Sequence, residues 1–113
     1  MKVNMLALVV LLGIFGRVDA TYFVNAGAVL SACESESVDK QNKCVSYLGG
    51  IADATSTWID WGMMSQKFCQ PDEVTLEQLR RIYIKYATEH PEDLHLTAAG
   101  VALNAFVEAF PCE

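Results

Sequence analysis

The side chains through which this chain could do chemistry are few. They are four cysteines (Cys33, Cys44, Cys69 and Cys112), two histidines in one short loop (His90 and His95), and Asp53 within an apolar run. An even number of cysteines in a short chain reads as a disulfide framework, for which four allow three connectivities. Zinc would want closely spaced ligand pairs, but no C-x-x-C occurs and the spacings are wide. The loop from Glu89 to His95 also carries Glu92 and Asp93. Pro91 and the five-residue step between the rings keep both histidines off one helical face, so a hydrogen-bonding role is expected rather than a metal. No serine sits in a G-x-S-x-G turn and no glycine-rich phosphate cradle is present. With the thiols committed to disulfides, no activated nucleophile remains. No catalytic residue, metal or cofactor is expected, and the chain reads as a binding protein rather than an enzyme. Burial of a lone carboxylate is costly, so Asp53 is expected to cap or bond a neighbouring helix end, with a direct role at a partner interface as the alternative.

These residues must be positioned by helices. Asn25 can cap a first helix running to about Cys33, after the extended Tyr22-Phe23-Val24. The longest helical segment covers Asp39 to Met64. In it Cys44, Tyr47, Leu48, Ile51, Ala54, Thr55, Trp58 and Trp61 recur at three- and four-residue steps, the period of one buried face. Gly49 and Gly50 inside it each cost about 1 kcal/mol relative to alanine. Close approach of the Ala-rich last helix is the expected compensation. Gly62 ends or frays this helix. Thr75 with Gln78 three residues on forms a capping-box pattern, and Leu76, Leu79, Ile82, Tyr83 and Tyr86 make the apolar face of a third helix. Pro91 stops it. A last helix runs from about Thr97 to Phe110, closed by Pro111. No period-two segment of useful length occurs, so the fold class is all-α: a compact bundle of about four helices stapled by two disulfides.

Helix length then selects the pairing. Cys44 sits in the early turns of the long helix and Cys69 lies beyond its end. The twenty residues from Cys44 to Met64 span ~30 Å. A disulfide needs Cα atoms about 6 Å apart, which excludes Cys44–Cys69. The loop from Glu34 to Val38 returns the chain antiparallel and sets Cys33 beside Cys44, so Cys33–Cys69 needs the same reach. Cys33–Cys44 and Cys69–Cys112 remain. Loop-closure entropy assigns them about 3 and about 4 kcal/mol respectively.

The first twenty residues carry Lys2, an apolar run from Met5 to Phe15, and Val18-Asp19-Ala20 with small residues where a signal peptidase reads. Residues 1–20 are therefore expected to be a cleaved export signal, and 21–113 a single domain. The run is too short for a transmembrane anchor, which needs roughly 20 apolar residues. Removing Lys2, Arg17 and Asp19 takes the 8 basic and 14 acidic residues to 6 and 13, a net charge of −7. Nucleic acid and anionic lipid would be repelled. A protein surface of basic or mixed charge is the favoured partner.

Trp58 and Trp61 fall on the predicted core face. Trp61 with Met63 and Met64 also forms a cluster of the kind used as an adaptable contact surface, for a protein partner or a homodimer. Several ordered fragments resemble one known family. They are Gly27-x-x-Leu30 before Cys33, Cys44-x-x-Tyr47 with Gly50 and Asp53, Phe68-Cys69-x-Pro71, Val74-Thr75-x-x-Gln78-Leu79, His90-Pro91-Glu92, His95, and Ala109-Phe110-Pro111-Cys112. In this order, from roughly Phe23 to Cys112, they look like the Rap/Tai immunity proteins associated with type VI secretion. Ser46 stands where that pattern has glycine and Thr97 where it has proline. The resemblance implies a periplasmic all-helical inhibitor of a peptidoglycan amidase toxin. An amidase handling anionic cell-wall peptide would have a basic cleft, so Glu34, Glu36 and Asp39 become candidates for steering toward it. The rival readings are a periplasmic acid-stress chaperone of the Hde type and a non-catalytic envelope assembly subunit.

Overall fold

The computed structural model describes residues 23–113; the expected export signal at 1–20 lies outside them. Four helices account for most of this span: α1 (Ala26–Glu34), α2 (Val38–Asp60), α3 (Leu76–Glu89) and α4 (Ala98–Ala109), with a 3-10 turn at Pro91–Asp93. Three of the four helix starts have a side-chain cap. The Asn25 side chain accepts the Ala28 N–H at 2.8 Å and caps α1. Thr75 and Gln78 close the expected capping box on α3, and Thr97 caps α4 by accepting from the Gly100 N–H. Thr97 thus opens α4 by a side-chain bond where a proline would do so by its fixed φ.

Helix α2 ends at Asp60, four residues earlier than its apolar period suggests. Gly62 adopts φ +70°, a left-handed conformation that glycine reaches without steric cost. The Gly62 N–H returns to the Ile59 carbonyl and the Met63 N–H to that of Trp58, the paired bonds of a Schellman stop.

The core forms where the four helices overlap. Val29 and Cys33 of α1, Leu48 and Thr55 of α2, Leu79 and Tyr83 of α3, and Val101 and Phe106 of α4 are buried. Ala98, Ala102 and Ala105 keep the inner face of α4 thin, so Tyr83 fits at the centre and donates its hydroxyl to the Ala26 carbonyl at 2.8 Å. The start of α1 is tied to the approach to α4: the Ala26 and Gly27 N–H groups donate to the Leu96 and Leu94 carbonyls. These bonds satisfy donors that a helix start leaves without intrahelical acceptors.

Both expected disulfides are present. Cys33–Cys44, with Cα atoms 5.1 Å apart, is buried in the core, whereas Cys69–Cys112, at 5.0 Å, is exposed. Beside the second, the Cys69 N–H donates to the Phe110 carbonyl and Phe68 packs on Phe106 with ring centroids 5.7 Å apart.

Three expectations about α2 and α3 are corrected. Trp58 and Trp61 are not core residues; they are 43% and 72% exposed. With 23 residues, α2 outlasts partners of 9, 14 and 12, so burial along it stops at Thr55 and both its ends project. Leu76 is also half exposed, and Ala87 takes a buried place on α3 instead. Finally, the α2 glycines do not face α4. A Cβ on Gly49 would lie 2.8 Å from Leu76 Cδ2 of α3, and one on Gly50 would meet nothing within 4 Å.

Candidate interaction surfaces

The six residues read as partner-contacting fall into two groups at opposite ends of α2. Glu34, Glu36 and Asp39 surround its N-terminus, while Trp61, Met63 and Met64 follow its C-terminus. The 23-residue helix separates them by ~33 Å. A standard interface covers about 800 Å² per partner, a patch about 30 Å across. One such footprint therefore cannot centre on both groups.

At the N-terminal end the three carboxylates are exposed and make no ion pair among the described residues. The loop beneath them is held locally. Gln41 donates its side-chain amide to the Ser35 carbonyl at 2.6 Å, and the Ser37 N–H donates to Ser35 Oγ. Arg80 reaches across from α3 to donate to the Cys33 carbonyl at 2.8 Å, fixing the end of α1 beside the buried bridge. Lys40 and Lys43 lie next in sequence. Three carboxylates against two ammonium groups leave a weaker field than the loop sequence suggests.

At the C-terminal end Trp61 and Met63 are 72% and 68% exposed, and Met64 is half buried. Met64 opens an apolar cleft of about 320 Å³, walled by Phe68 and by Leu103 and Val107 of α4. Leu103 and Val107 are not singled out in a sequence reading that marks α4 only as Ala-rich. Their i, i+4 spacing on the neighbouring face was the available signal. This end is rigidly based, because the Schellman stop fixes the Trp61–Met64 backbone and Phe68 anchors the following segment in the core.

The remaining polar candidates have structural partners. His90 terminates α3, stacks on Tyr86 with centroids 3.9 Å apart, and places Nδ1 2.8 Å from the Tyr86 carbonyl. His95 is exposed, and among the described residues no three His, Cys, Asp or Glu side chains converge as a metal site would require. Glu77 lies below the usual carboxylate range because Arg81, and then Arg80, bond and attract its charged form. Asp53 does not bond a helix end as expected; it is exposed and its carboxylate makes no hydrogen bond among the described residues.

A family description, Rap1a immunity proteins, matches residues 25–112, a span that takes in all four helices and both bridges. The chain belongs to the Rap1a immunity protein family. Members neutralise amidase effectors of type VI secretion systems, act as non-catalytic inhibitors and are periplasmic. No curated protein and no solved structure matches the chain significantly. Within this Rap1a fold the family-like fragments serve visible purposes. Thr75 and Gln78 are the α3 capping box, His90-Pro91-Glu92 ends α3 and starts the 3-10 turn, and the terminal Phe110-Pro111-Cys112 carries the second bridge. Among the described residues no helix is long and apolar enough to cross a membrane.

Proposed function

We propose that this Rap1a protein is exported by cleavage after Ala20 and, in the periplasm, occludes the catalytic cleft of a peptidoglycan amidase effector. The domain that acts is residues 21–113. Family membership favours this over the acid-stress chaperone and envelope-subunit readings, because it names both an inhibitory role and the class of target.

The observation that carries the choice of surface is the Trp61 end. Two large apolar side chains, Trp61 and Met63, stand exposed on a fixed backbone beside the Met64–Val107 cleft. Tryptophan in a well-packed setting is the commonest energetic anchor of protein interfaces. Glu34, Glu36 and Asp39, ~33 Å away, act on approach rather than in the packed contact.

The test is inhibition of a type VI amidase effector by the oxidised mature chain, followed by Trp61→Ala and Met63→Ala. Each substitution should leave the melting temperature within a few degrees of the parent, since both side chains are exposed. Trp61→Ala should weaken inhibition by at least about tenfold, as expected for loss of a hot-spot residue. Full inhibition by the Trp61→Ala protein would remove this end from the interface. Loss of self-association instead of inhibition would make it a homodimer face.

A further inference from the structure

A groove of about 260 Å³ between α2 and the start of α3 holds a carboxylate with no partner. Asp53 stands on its wall with Ser56 and Gln70, over an apolar floor that includes Ala52, Val74 and Leu76. The Leu76 side chain lies close along α2 where Gly49 has no Cβ. None of Asp53, Ser56 and Gln70 makes a side-chain ion pair or hydrogen bond among the described residues. The adjoining turn, closed by the Val74 N–H on the Pro71 carbonyl, carries exposed Asp72 and Glu73, which make no ion pair among the described residues.

The chemistry of an occupant follows from these surroundings. An anion would be repelled, and an apolar group would strip water from Asp53 without replacing it. A long cationic side chain satisfies both halves of the groove. Its methylenes lie on Leu76 and Val74 while its head meets the carboxylate. A guanidinium adds planar donors, for which the Asp53 carboxylate, the Ser56 hydroxyl and the Gln70 amide oxygen are acceptors. We propose that this groove receives an arginine side chain presented by the amidase effector. The inference rests on the inhibitory reading above. Asp53 precedes Trp61 by eight residues, ~12 Å along the helix axis, a separation smaller than the width of one interface.

Two measurements test it. In the first, the isotope-labelled mature chain is titrated with N-acetyl-arginine amide, using N-acetyl-citrulline amide as the uncharged control of the same shape. Chemical-shift changes should be confined to the groove, centred on Asp53, Ser56 and Gln70, and should be absent with citrulline and in Asp53→Asn. Equal responses to both compounds, or shifts centred elsewhere, would overturn the proposal. In the second, Asp53→Asn should weaken binding of an amidase effector that the parent inhibits by about tenfold and lower the salt dependence of its affinity. Unchanged affinity with the parent still inhibitory would overturn the groove and leave the inhibitory function standing. Failure of the parent to inhibit would strike at the function itself, and the arginine titration would then decide the groove alone.

Discussion

Tyr83 is the largest side chain with no exposure, and its hydroxyl bonds a carbonyl 57 residues away, joining α3 to the start of α1. Tyr83→Phe keeps the ring and removes that bond, so it should cost about 1 kcal/mol in denaturant unfolding. The same residue sets a pH dependence. Burial pushes its phenol well above the ordinary value of 10.0, with nearby Tyr47 adding to the shift, so the folded state holds this proton more tightly than the unfolded chain. Its stabilisation is therefore fully present below about pH 10 and is lost as pH rises beyond that, toward the folded pKa. Unfolding curves from neutral pH to about pH 11 should fall less steeply at the alkaline end for Tyr83→Phe than for the parent. Equal slopes would show that another group controls the alkaline limb. The central place of Tyr83 was legible from its step along α3, but its acceptor was not, because Ala26 carries no sequence signal of being one.

At the scale of elements, the helix boundaries were readable because caps act over three or four residues. Asn25 and Thr75 with Gln78 perform as read, while Thr97, read as the start of the last helix, serves as its cap. The α2 glycines were misread because their environment depends on which helix lies alongside. Gly50 faces open space, so Gly50→Ala should stabilise the protein by about 1 kcal/mol through helix propensity alone. Gly49→Ala should gain less or nothing, because its Cβ must displace Leu76. Thermal denaturation of the two variants side by side reads the difference. An equal gain in both would mean that the Leu76 side chain moves aside freely. The Asp39 to Met64 expectation for α2 failed at its end for a related reason: apolar spacing continued through Trp61, while the left-handed Gly62 stopped the helix and burial had already ended at Thr55.

For the whole molecule, the two disulfides divide the fold by accessibility. Cys33 and Cys44 are at most 1% exposed, whereas Cys69 and Cys112 are open to solvent. A dithiol reductant under native conditions should open Cys69–Cys112 first, and alkylation followed by mass spectrometry should find those two thiols labelled while Cys33 and Cys44 stay protected. Simultaneous labelling of all four would mean that reduction proceeds only through global unfolding. Charge also acts at this scale. If the acidic loop steers the effector, replacing Glu34, Glu36 and Asp39 by serine should lower the association rate several-fold at low salt and leave dissociation unchanged. The neighbouring Lys40 and Lys43 limit the size of this effect. An unchanged rate and salt dependence would remove the loop from recognition.

The sequence by itself determined the helical class, the caps that open α1 and α3 and the bridge pairing, because these depend on short-range period, local hydrogen bonding and the length of a helix. It also carried the ordered motifs by which the family is recognisable. What it could not decide was which parts of α2 are covered, since burial depends on the lengths and placement of the other helices. Only the tertiary structure moved Trp58 and Trp61 from core to surface, separated the acidic loop from the Trp61 end by the length of α2, and set the unpaired Asp53 carboxylate over an apolar floor from α2 and the approach to α3. Each is a relation between segments distant in sequence, fixed when the four helices pack around Tyr83.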